Sequence, residues 1–129
     1  MTTKQYLVDN AIAELIFAHG AGADSRHELM HKLATLFNAH GINVTLFDFP
    51  YMQRRQKEGR RFLPDKMPIL VEAFEQQIAS LQTSLPLFIG GKSMGGRVAA
   101  TIASTTKAAD TIKGVLCFGY PFHPQKKPE

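Results

Sequence analysis

Short apolar runs alternate along the chain with longer segments in which apolar residues recur every three or four positions. This alternation is typical of βαβ units and predicts an α/β fold, a three-layer α/β/α domain around a parallel sheet. The predicted strands cover residues 14–18, 42–47, 87–90 and 114–118. The predicted helices cover residues 25–40, 66–82 and 94–104. Right-handed crossovers then give about four parallel strands in the spatial order 2-1-3-4.

The first predicted helix carries signals for its start, its buried face and its end. Ser25 and Glu28 have the spacing of a capping box. Gly41 fits the left-handed position just beyond the helix. The predicted apolar face consists of four residues at positions i, i+4, i+7 and i+8, namely Leu29, Leu33, Leu36 and Phe37.

Composition and length narrow the class of protein. The chain has 129 residues, 44% of them hydrophobic and 20% charged, so we expect one globular domain over residues 1–129. The single cysteine, Cys117, excludes an internal disulfide and is expected to be a small core residue. No apolar run is long enough to span a membrane and the N-terminus does not resemble a signal peptide, which predicts a cytoplasmic location and no membrane partner.

The net charge of +4 equals the charge of one stretch, residues 54–61, within a segment that the sequence predicts to be a loop over residues 52–65. Its basic loop, residues 54–61, has five basic residues against the single acid Glu58: Arg54, Arg55, Lys57, Arg60 and Arg61. A local cluster differs from a basic domain face, so a nucleic-acid partner is not expected. Two interpretations stay open, a solvated surface loop and a loop that overhangs the site and favours acidic substrates.

The segment Gly91-Lys92-Ser93-Met94-Gly95 matches the pattern G-x-S-x-G between a predicted strand and a predicted helix. A nucleophilic serine on such a turn is held in a strained conformation with its oxygen exposed, and Gly91 and Gly95 leave room for the bend. The Met94 N–H at the helix start would be one oxyanion-hole donor. The alternative is an inert glycine-rich turn with Ser93 as a helix N-cap. A phosphate-binding P-loop is excluded because Pro86 occupies a position that requires glycine.

A second glycine-rich turn, His19-Gly20-Ala21-Gly22, follows the first predicted strand. In the predicted strand order this turn and the Ser93 turn meet at the switch point of the sheet, where ligands bind. The Ala21 N–H is therefore the predicted second oxyanion donor, and Gly20 and Gly22 let the backbone approach a substrate. His19 is expected to brace this loop, and Asp48 to brace a loop or cap a helix.

A serine nucleophile needs a histidine base that an acid orients, and α/β-hydrolases place the acid and then the histidine after the serine. After Ser93 the chain has the acids Asp110 and Glu129 and one histidine, His123. Asp110 falls at the wrong edge of the predicted sheet, whereas His123 falls at the correct edge and is the candidate base. The sequence indicates no cofactor and no metal site.

The segments LIFAHGAGADS, DFPY, GGKSMGGRVA and VLCFGYPFHP together resemble one known family. It is the α/β-hydrolase-like family that groups small bacterial hydrolases with Tex30 and regulatory subunit 3 of the NSL histone-acetyltransferase complex, and it is related to dienelactone hydrolases. The resemblance implies that residues 14–129 form the N-terminal portion of the α/β-hydrolase fold. It carries over Ser93, Ala21 and Met94. Family members have their acid and histidine beyond the YPFHP turn, so the resemblance implies a truncated chain with an exposed last strand.

Two functions from different classes remain open. The first is a serine hydrolase that acts on an ester, thioester or amide of a small-molecule acyl substrate. The second is a catalytically inactive binding or scaffold module, with a protein partner or a second copy at the exposed strand edge.

Overall fold

The computed structural model describes residues 3–105 and 111–119. Its strands are β1 (Thr3–Tyr6), β2 (Ala13–Ala18), β3 (Ile42–Phe47), β4 (Leu87–Lys92) and β5 (Ile112–Phe118). Its helices are α1 (Glu28–Ala39), α2 (Pro50–Glu58), α3 (Met67–Ser80) and α4 (Met94–Ala103).

The described strands form one sheet in the order β1-β3-β2-β4-β5. The strands β3, β2, β4 and β5 run parallel, which confirms the predicted order 2-1-3-4. The strand β1 was not predicted and pairs antiparallel with β3 at the edge. Its sequence, TKQY, is mostly exposed and lacks the apolar residues that mark a strand in a sequence. Because Ala18 aligns with both Phe47 and Gly91, the three central strands end at the same level.

The core lies on both faces of the sheet. Alternate residues of the central strand β2 face opposite ways, and all six are buried. Ile16 packs with the apolar faces of α3 and α4, represented by Phe74 and Val98. Leu15 packs on the other face with Met30 of α1. The result is the predicted three-layer α/β/α arrangement.

The predicted start of α1 is wrong. The helix begins at Glu28 behind His27, whose Nδ1 accepts a hydrogen bond from the Leu29 N–H at 3.1 Å. Ser25 does not form a capping box, because its N–H and hydroxyl donate to the Asp48 carboxylate at 2.8 and 2.9 Å. A tertiary partner thus replaces the local capping partner that the spacing predicted.

The predicted apolar face of α1 is also partly wrong. Met30 and Ala34 are the buried residues, whereas Leu29 and Leu36 are 38% and 55% exposed. The buried face of α1 is therefore rotated relative to the predicted face, because the helix contacts the sheet through the flexible Met30 and the small Ala34. Gly41 follows the helix with φ +82°, which confirms its predicted left-handed conformation.

The segment predicted as a loop over residues 52–65 contains a helix. Pro50 fits the first turn of α2, and Gly59 closes the helix with φ +69°. The nine residues of α2 are strongly polar, and only Tyr51 and Met52 are buried. A short helix with so narrow an apolar face gives little periodic signal in the sequence.

The prediction that Cys117 is a small core residue is wrong. The side chain lies on β5 and is exposed. The strand β5 has no further strand beyond it among the described residues, and most of its positions are partly or fully exposed.

Candidate active site

The turn between β4 and α4 holds Ser93 in a backbone conformation that side chains rarely adopt, with φ 52° and ψ −112°. A non-glycine residue in such a region costs about 1–3 kcal/mol, so the surrounding structure must enforce it. The Ser93 N–H donates to the Phe118 carbonyl at 2.7 Å, and its carbonyl accepts from the Arg97 N–H at 3.1 Å. Although Ser93 occupies the N-cap position of α4, its hydroxyl makes no capping hydrogen bond. The bend therefore holds Ser93 in the strained backbone conformation that the G-x-S-x-G pattern predicts.

Glycines on both sides of Ser93 are required by close backbone contacts. A Cβ atom at Gly91 would lie 2.7 Å from the Gly95 oxygen and would also overlap the Gly95 carbonyl carbon. A Cβ atom at Gly95 would lie 2.6 Å from the carbonyl oxygens of both Ala18 and His19. Any side chain at these positions would push α4 away from the end of β2 and open the bend.

The loop after β2 crosses directly over the Ser93 bend. A Cβ atom at Gly20 would lie 3.6 Å from the Ser93 Cβ and 3.2 Å from the Lys92 oxygen. Between the loop and the bend lies a cavity of about 310 Å³, named here the Ser93 pocket. It is lined by Gly20, Ala21, Gly22, Ala23, His27, Leu29, Met30, Lys92 and Ser93. The structure thus brings together the two glycine-rich turns that the sequence singled out.

The peptide between Gly20 and Ala21 is oriented by two side chains. The Gly20 carbonyl faces His19 Nδ1 and accepts a hydrogen bond from the Tyr51 hydroxyl at 3.3 Å. The Tyr51 hydroxyl lies 3.1 Å from the Ala21 oxygen as well. The described residues contain no cis peptide bond. In a trans peptide the N–H points opposite to the carbonyl, so the Ala21 N–H points away from these two side chains.

Two backbone N–H groups lie close to Ser93 in the fold or in the chain: Ala21 lines the Ser93 pocket, and Met94 directly follows Ser93. The described residues provide no acceptor for the Ala21 N–H or for the Met94 N–H, which belongs to the first turn of α4. Both are the donors that the sequence predicted for an oxyanion hole. A helix N-terminus beside Ser93 also favours negative charge.

His19 is fully buried and uses both ring nitrogens within the protein. Its Nε2 accepts a hydrogen bond from the Phe49 N–H at 3.1 Å, so the neutral ring carries its proton on Nδ1, which donates to the Gly20 carbonyl. Burial lowers the pKa of His19, and the Gly20 hydrogen bond and the Asp48 carboxylate only partly offset this effect. His19 therefore has no nitrogen left to accept a proton from Ser93, and its contacts are those of the predicted loop brace.

The turn after β3 supplies most of the contacts that hold the loop. Asp48 is buried, and its carboxylate accepts from both the N–H and the hydroxyl of Ser25 and from the Gln56 amide at 3.3 Å. Its contacts are those of the loop brace that the sequence predicted. Tyr51, which the sequence did not single out, is also fully buried, and burial raises the pKa of its hydroxyl to about 12. The hydroxyl is therefore protonated and donates at neutral pH.

His27 is a second residue that the sequence did not single out. It lines the Ser93 pocket, and its Nδ1 accepts the Leu29 N–H as the cap of α1. The neutral ring consequently carries its proton on Nε2 and presents a donor. No spacing rule could have identified it, because its position depends on how the loop folds over Ser93.

The basic residues of α2 and the turn after it do not line the Ser93 pocket. The Arg54 guanidinium pairs with the Asp65 carboxylate at 3.0 Å. Arg55 donates to the Phe62 carbonyl at 2.8 Å and lies over the Tyr51 ring. These two arginines are thus engaged in packing the 59–66 segment against α2.

Asp110 and the candidate base His123 lie outside the described residues. The described part of the chain holds no cluster of three or more His, Cys, Asp or Glu side chains that could bind a metal ion. Within residues 3–105 and 111–119, none of the helices has the length and apolar character needed to cross a membrane.

Comparisons with known proteins identify the family to which the chain belongs. A family model described as an alpha/beta hydrolase domain matches residues 11–129. Human monoglyceride lipase is 32% identical over 95 residues, which cover 70% of this chain and 30% of the lipase. The narrower group with Tex30 and the NSL-complex subunit stays a prediction.

Solved structures show the same fold at low sequence identity. Dienelactone hydrolase from Anabaena variabilis superposes with a TM-score of 0.73 at 18% identity, covering 89% of this chain and 55% of that enzyme. A thermostable carboxyl esterase from Bacillus coagulans gives a TM-score of 0.67 at 22% identity, with 89% and 38% covered. The chain thus spans between a third and about half of these structures and under a third of the lipase.

Proposed function

The chain belongs to the alpha/beta hydrolase domain family, and from this we propose that it is a serine hydrolase that cleaves an ester, thioester or amide of a small acyl substrate through Ser93. The observation that carries the proposal is the strained conformation of Ser93 in a pocket that Ala21 also lines, with the Ala21 and Met94 N–H groups unpaired among the described residues. An inert turn has no need of a serine with a positive φ whose hydroxyl caps nothing. The relatives named lipase and esterase support the same class of reaction.

In the proposed reaction the Ser93 oxygen attacks the substrate carbonyl carbon while its proton passes to a base. The carbonyl oxygen becomes an oxyanion that accepts hydrogen bonds from the Ala21 and Met94 N–H groups. Collapse of this tetrahedral species breaks the bond to the leaving group, which takes the proton from the base. Water then attacks the acyl group on Ser93 by the same route and frees the acid. Each oxyanion donor is worth about 10²–10³ in rate.

We assign the base to His123, since His19 and His27 both use their acceptor nitrogen inside the protein. His123 follows β5, the strand whose Phe118 carbonyl holds the Ser93 N–H. Substituting His123→Ala should slow acylation by about 10²–10⁴, the usual contribution of a general base. An unchanged acylation rate would remove His123 from the mechanism.

The test is covalent labelling by a fluorophosphonate probe, which reacts with activated serines. Wild-type protein should be labelled, Ser93→Ala should not, and the control Ser80→Ala, which changes an exposed serine on α3, should be labelled at the wild-type rate. Circular dichroism must show that every variant is folded. Folded wild-type protein that is not labelled, or labelling that persists in Ser93→Ala, would overturn the proposal.

The alternative is a binding module without turnover. It is favoured by one observation: neither His19 nor His27 offers an acceptor to Ser93. In this alternative the outer edge of β5 would receive a partner strand, and the cytoplasm would keep the exposed Cys117 reduced. Ester turnover by the wild-type chain that disappears in Ser93→Ala would eliminate it.

A further inference from the structure

The lining of the Ser93 pocket has an uneven charge. Among the described residues that line it, Lys92 and His27 have side chains that can carry a positive charge, and none is an aspartate or glutamate. The other described lining residues are small or apolar apart from Ser93 itself. An anionic group in this pocket would therefore find a cation and a donor, and no carboxylate of the described lining residues would compete with it.

The acids nearest in sequence to the pocket are already paired. Asp24 binds the Arg26 guanidinium at 2.9 Å and the Gln56 amide at 2.8 Å. Glu28 lies 3.4 Å from the Lys32 ammonium. Lys92 has no ion pair with any described carboxylate and is only partly exposed. Its long stem allows the ammonium to follow a ligand within the pocket.

His27 adds a donor whose direction is fixed by the cap of α1. Because Nδ1 accepts the Leu29 N–H, the neutral ring has its proton on Nε2, and a protonated ring would also donate there. In both states the ring can donate to an anion and cannot accept from one at Nε2. The two side chains thus favour the same kind of ligand by different means.

We propose that the Ser93 pocket selects esters that carry a carboxylate, bound by the Lys92 ammonium and the His27 Nε2–H. This inference rests on the serine-hydrolase function proposed above. The pocket has a volume of about 310 Å³, which leaves room for a small ester with a short chain that ends in a carboxylate.

The test compares esters in matched pairs at neutral pH. One pair varies the acyl side: 4-nitrophenyl hydrogen glutarate against 4-nitrophenyl methyl glutarate. The other pair varies the leaving group: the pentanoate ester of 4-hydroxybenzoate against that of methyl 4-hydroxybenzoate. We expect kcat/KM to favour the carboxylate member of one pair by about tenfold, the usual effect of one hydrogen bond to a charged group. The pair with the preference shows on which side of the ester the carboxylate lies. Raising the salt from 0.1 to 1 M should reduce the preference.

Variants of the two side chains locate the preference. Lys92→Met keeps the length of the stem and should reduce the ratio of kcat/KM between charged and neutral esters to near one. His27→Asp keeps an acceptor for the Leu29 N–H, so α1 stays capped, and should reverse the ratio. The control Lys57→Met removes an exposed lysine of α2 and should leave the ratio unchanged.

The outcomes separate this inference from the proposed function. Neutral esters that are hydrolysed in a Ser93-dependent manner, with no preference for carboxylates in either pair, would overturn the inference and leave the hydrolase function intact. If Lys57→Met abolishes the preference for carboxylate esters and Lys92→Met leaves it unchanged, the carboxylate binds at α2 instead of in the Ser93 pocket, and the inference is overturned as well. Absence of all Ser93-dependent turnover would overturn both.

Discussion

The Tyr51 hydroxyl holds the peptide that presents the Ala21 N–H, and Tyr51→Phe removes that hydroxyl alone. The hydroxyl lies 3.3 Å from the Gly20 oxygen and 3.1 Å from the Ala21 oxygen. The ring keeps its edge-to-face contact with His19 and its place under Arg55 in the variant. Any change in rate is therefore due to the orientation of the loop rather than to a lost core side chain.

The expected magnitudes follow from these contacts. The single hydroxyl proton is shared between the two carbonyl oxygens, and losing it in a buried site should lower the free energy of unfolding by about 1–2 kcal/mol. A completely lost oxyanion donor costs about 10²–10³ in rate, but His19 still binds the Gly20 carbonyl, so we expect acylation to slow by about tenfold. The affinity for the probe before acylation should change little, because Tyr51 does not line the Ser93 pocket.

The assay is the time course of fluorophosphonate labelling at several probe concentrations, which separates the limiting rate from the apparent affinity. The matched control is Tyr6→Phe, which removes a hydroxyl that binds His31 at 3.0 Å; neither residue lines the Ser93 pocket. That variant should label at the wild-type rate. A Tyr51→Phe variant with the wild-type limiting rate would refute this reasoning, and an equal loss in Tyr6→Phe would assign the effect to general destabilisation.

Three further changes have expected outcomes in chemical unfolding. Gly95→Ala should lower the free energy of unfolding by about 3 kcal/mol, because the added Cβ would lie 2.6 Å from two backbone oxygens. The control Gly22→Ala, whose Cβ would meet nothing within 4 Å, should change it by less than about 0.5 kcal/mol, and equal effects would contradict the tight bend. Burial lowers the pKa of His19, so the unfolded state takes up the proton at a higher pH than the folded state does. As the pH falls below about 6.5, the free energy of unfolding of the wild type should therefore fall relative to that of His19→Gln. Parallel curves of unfolding free energy against pH would refute this. Asp65→Ala removes the acceptor of the Tyr51 N–H in the first turn of α2, 2.7 Å away, and should lower the free energy of unfolding by about 2 kcal/mol. Arg54→Met removes only the exposed partner of the ion pair and should lower it by at most about 1 kcal/mol. A larger loss in Arg54→Met would show that the ion pair contributes more than the helix cap.

Local rules were sufficient to predict the bend at Ser93 and the strand order. The glycines at positions 91 and 95 are dictated by contacts within one turn and with the end of β2, so their spacing is visible in the sequence. Parallel strands joined by helices also follow handedness rules that need no further information. For the same reason the sequence could predict that Ala21 belongs to a turn that meets the Ser93 bend, as the shared pocket lining confirms, whereas the oxyanion role of Ala21 and Met94 stays a prediction.

The errors occur where a distant partner decides the local structure. Ser25 has the spacing of a capping residue, but the buried Asp48 carboxylate binds it instead. The polar helix α2 has too few apolar residues to be recognised, and it is stabilised by Asp65 and by the contact of Arg55 with the 59–66 segment. His27 lies at the Ser93 pocket only because the loop before it folds back. None of these contacts leaves a periodic signal in the sequence.

The turn after β3 makes several of the hydrogen bonds that hold the loop over residues 19–25. Within four residues, the Asp48 carboxylate binds Ser25, the Phe49 N–H binds His19, and the Tyr51 hydroxyl binds the loop carbonyls. Glycines leave the loop free to adopt many conformations, so these external hydrogen bonds must select the one that presents the Ala21 N–H.

This arrangement connects Arg54 and the 59–66 segment to the Ser93 pocket, although none of these residues lines the pocket. Asp65 accepts from the Tyr51 N–H at 2.7 Å and pairs with Arg54, so the 59–66 segment positions the start of α2 and with it the Tyr51 hydroxyl. Reversing the charge of Arg54 should therefore alter the limiting rate of acylation through Tyr51, and do so equally for charged and neutral esters. A change confined to the KM of acidic substrates would instead support direct binding of anions by this segment.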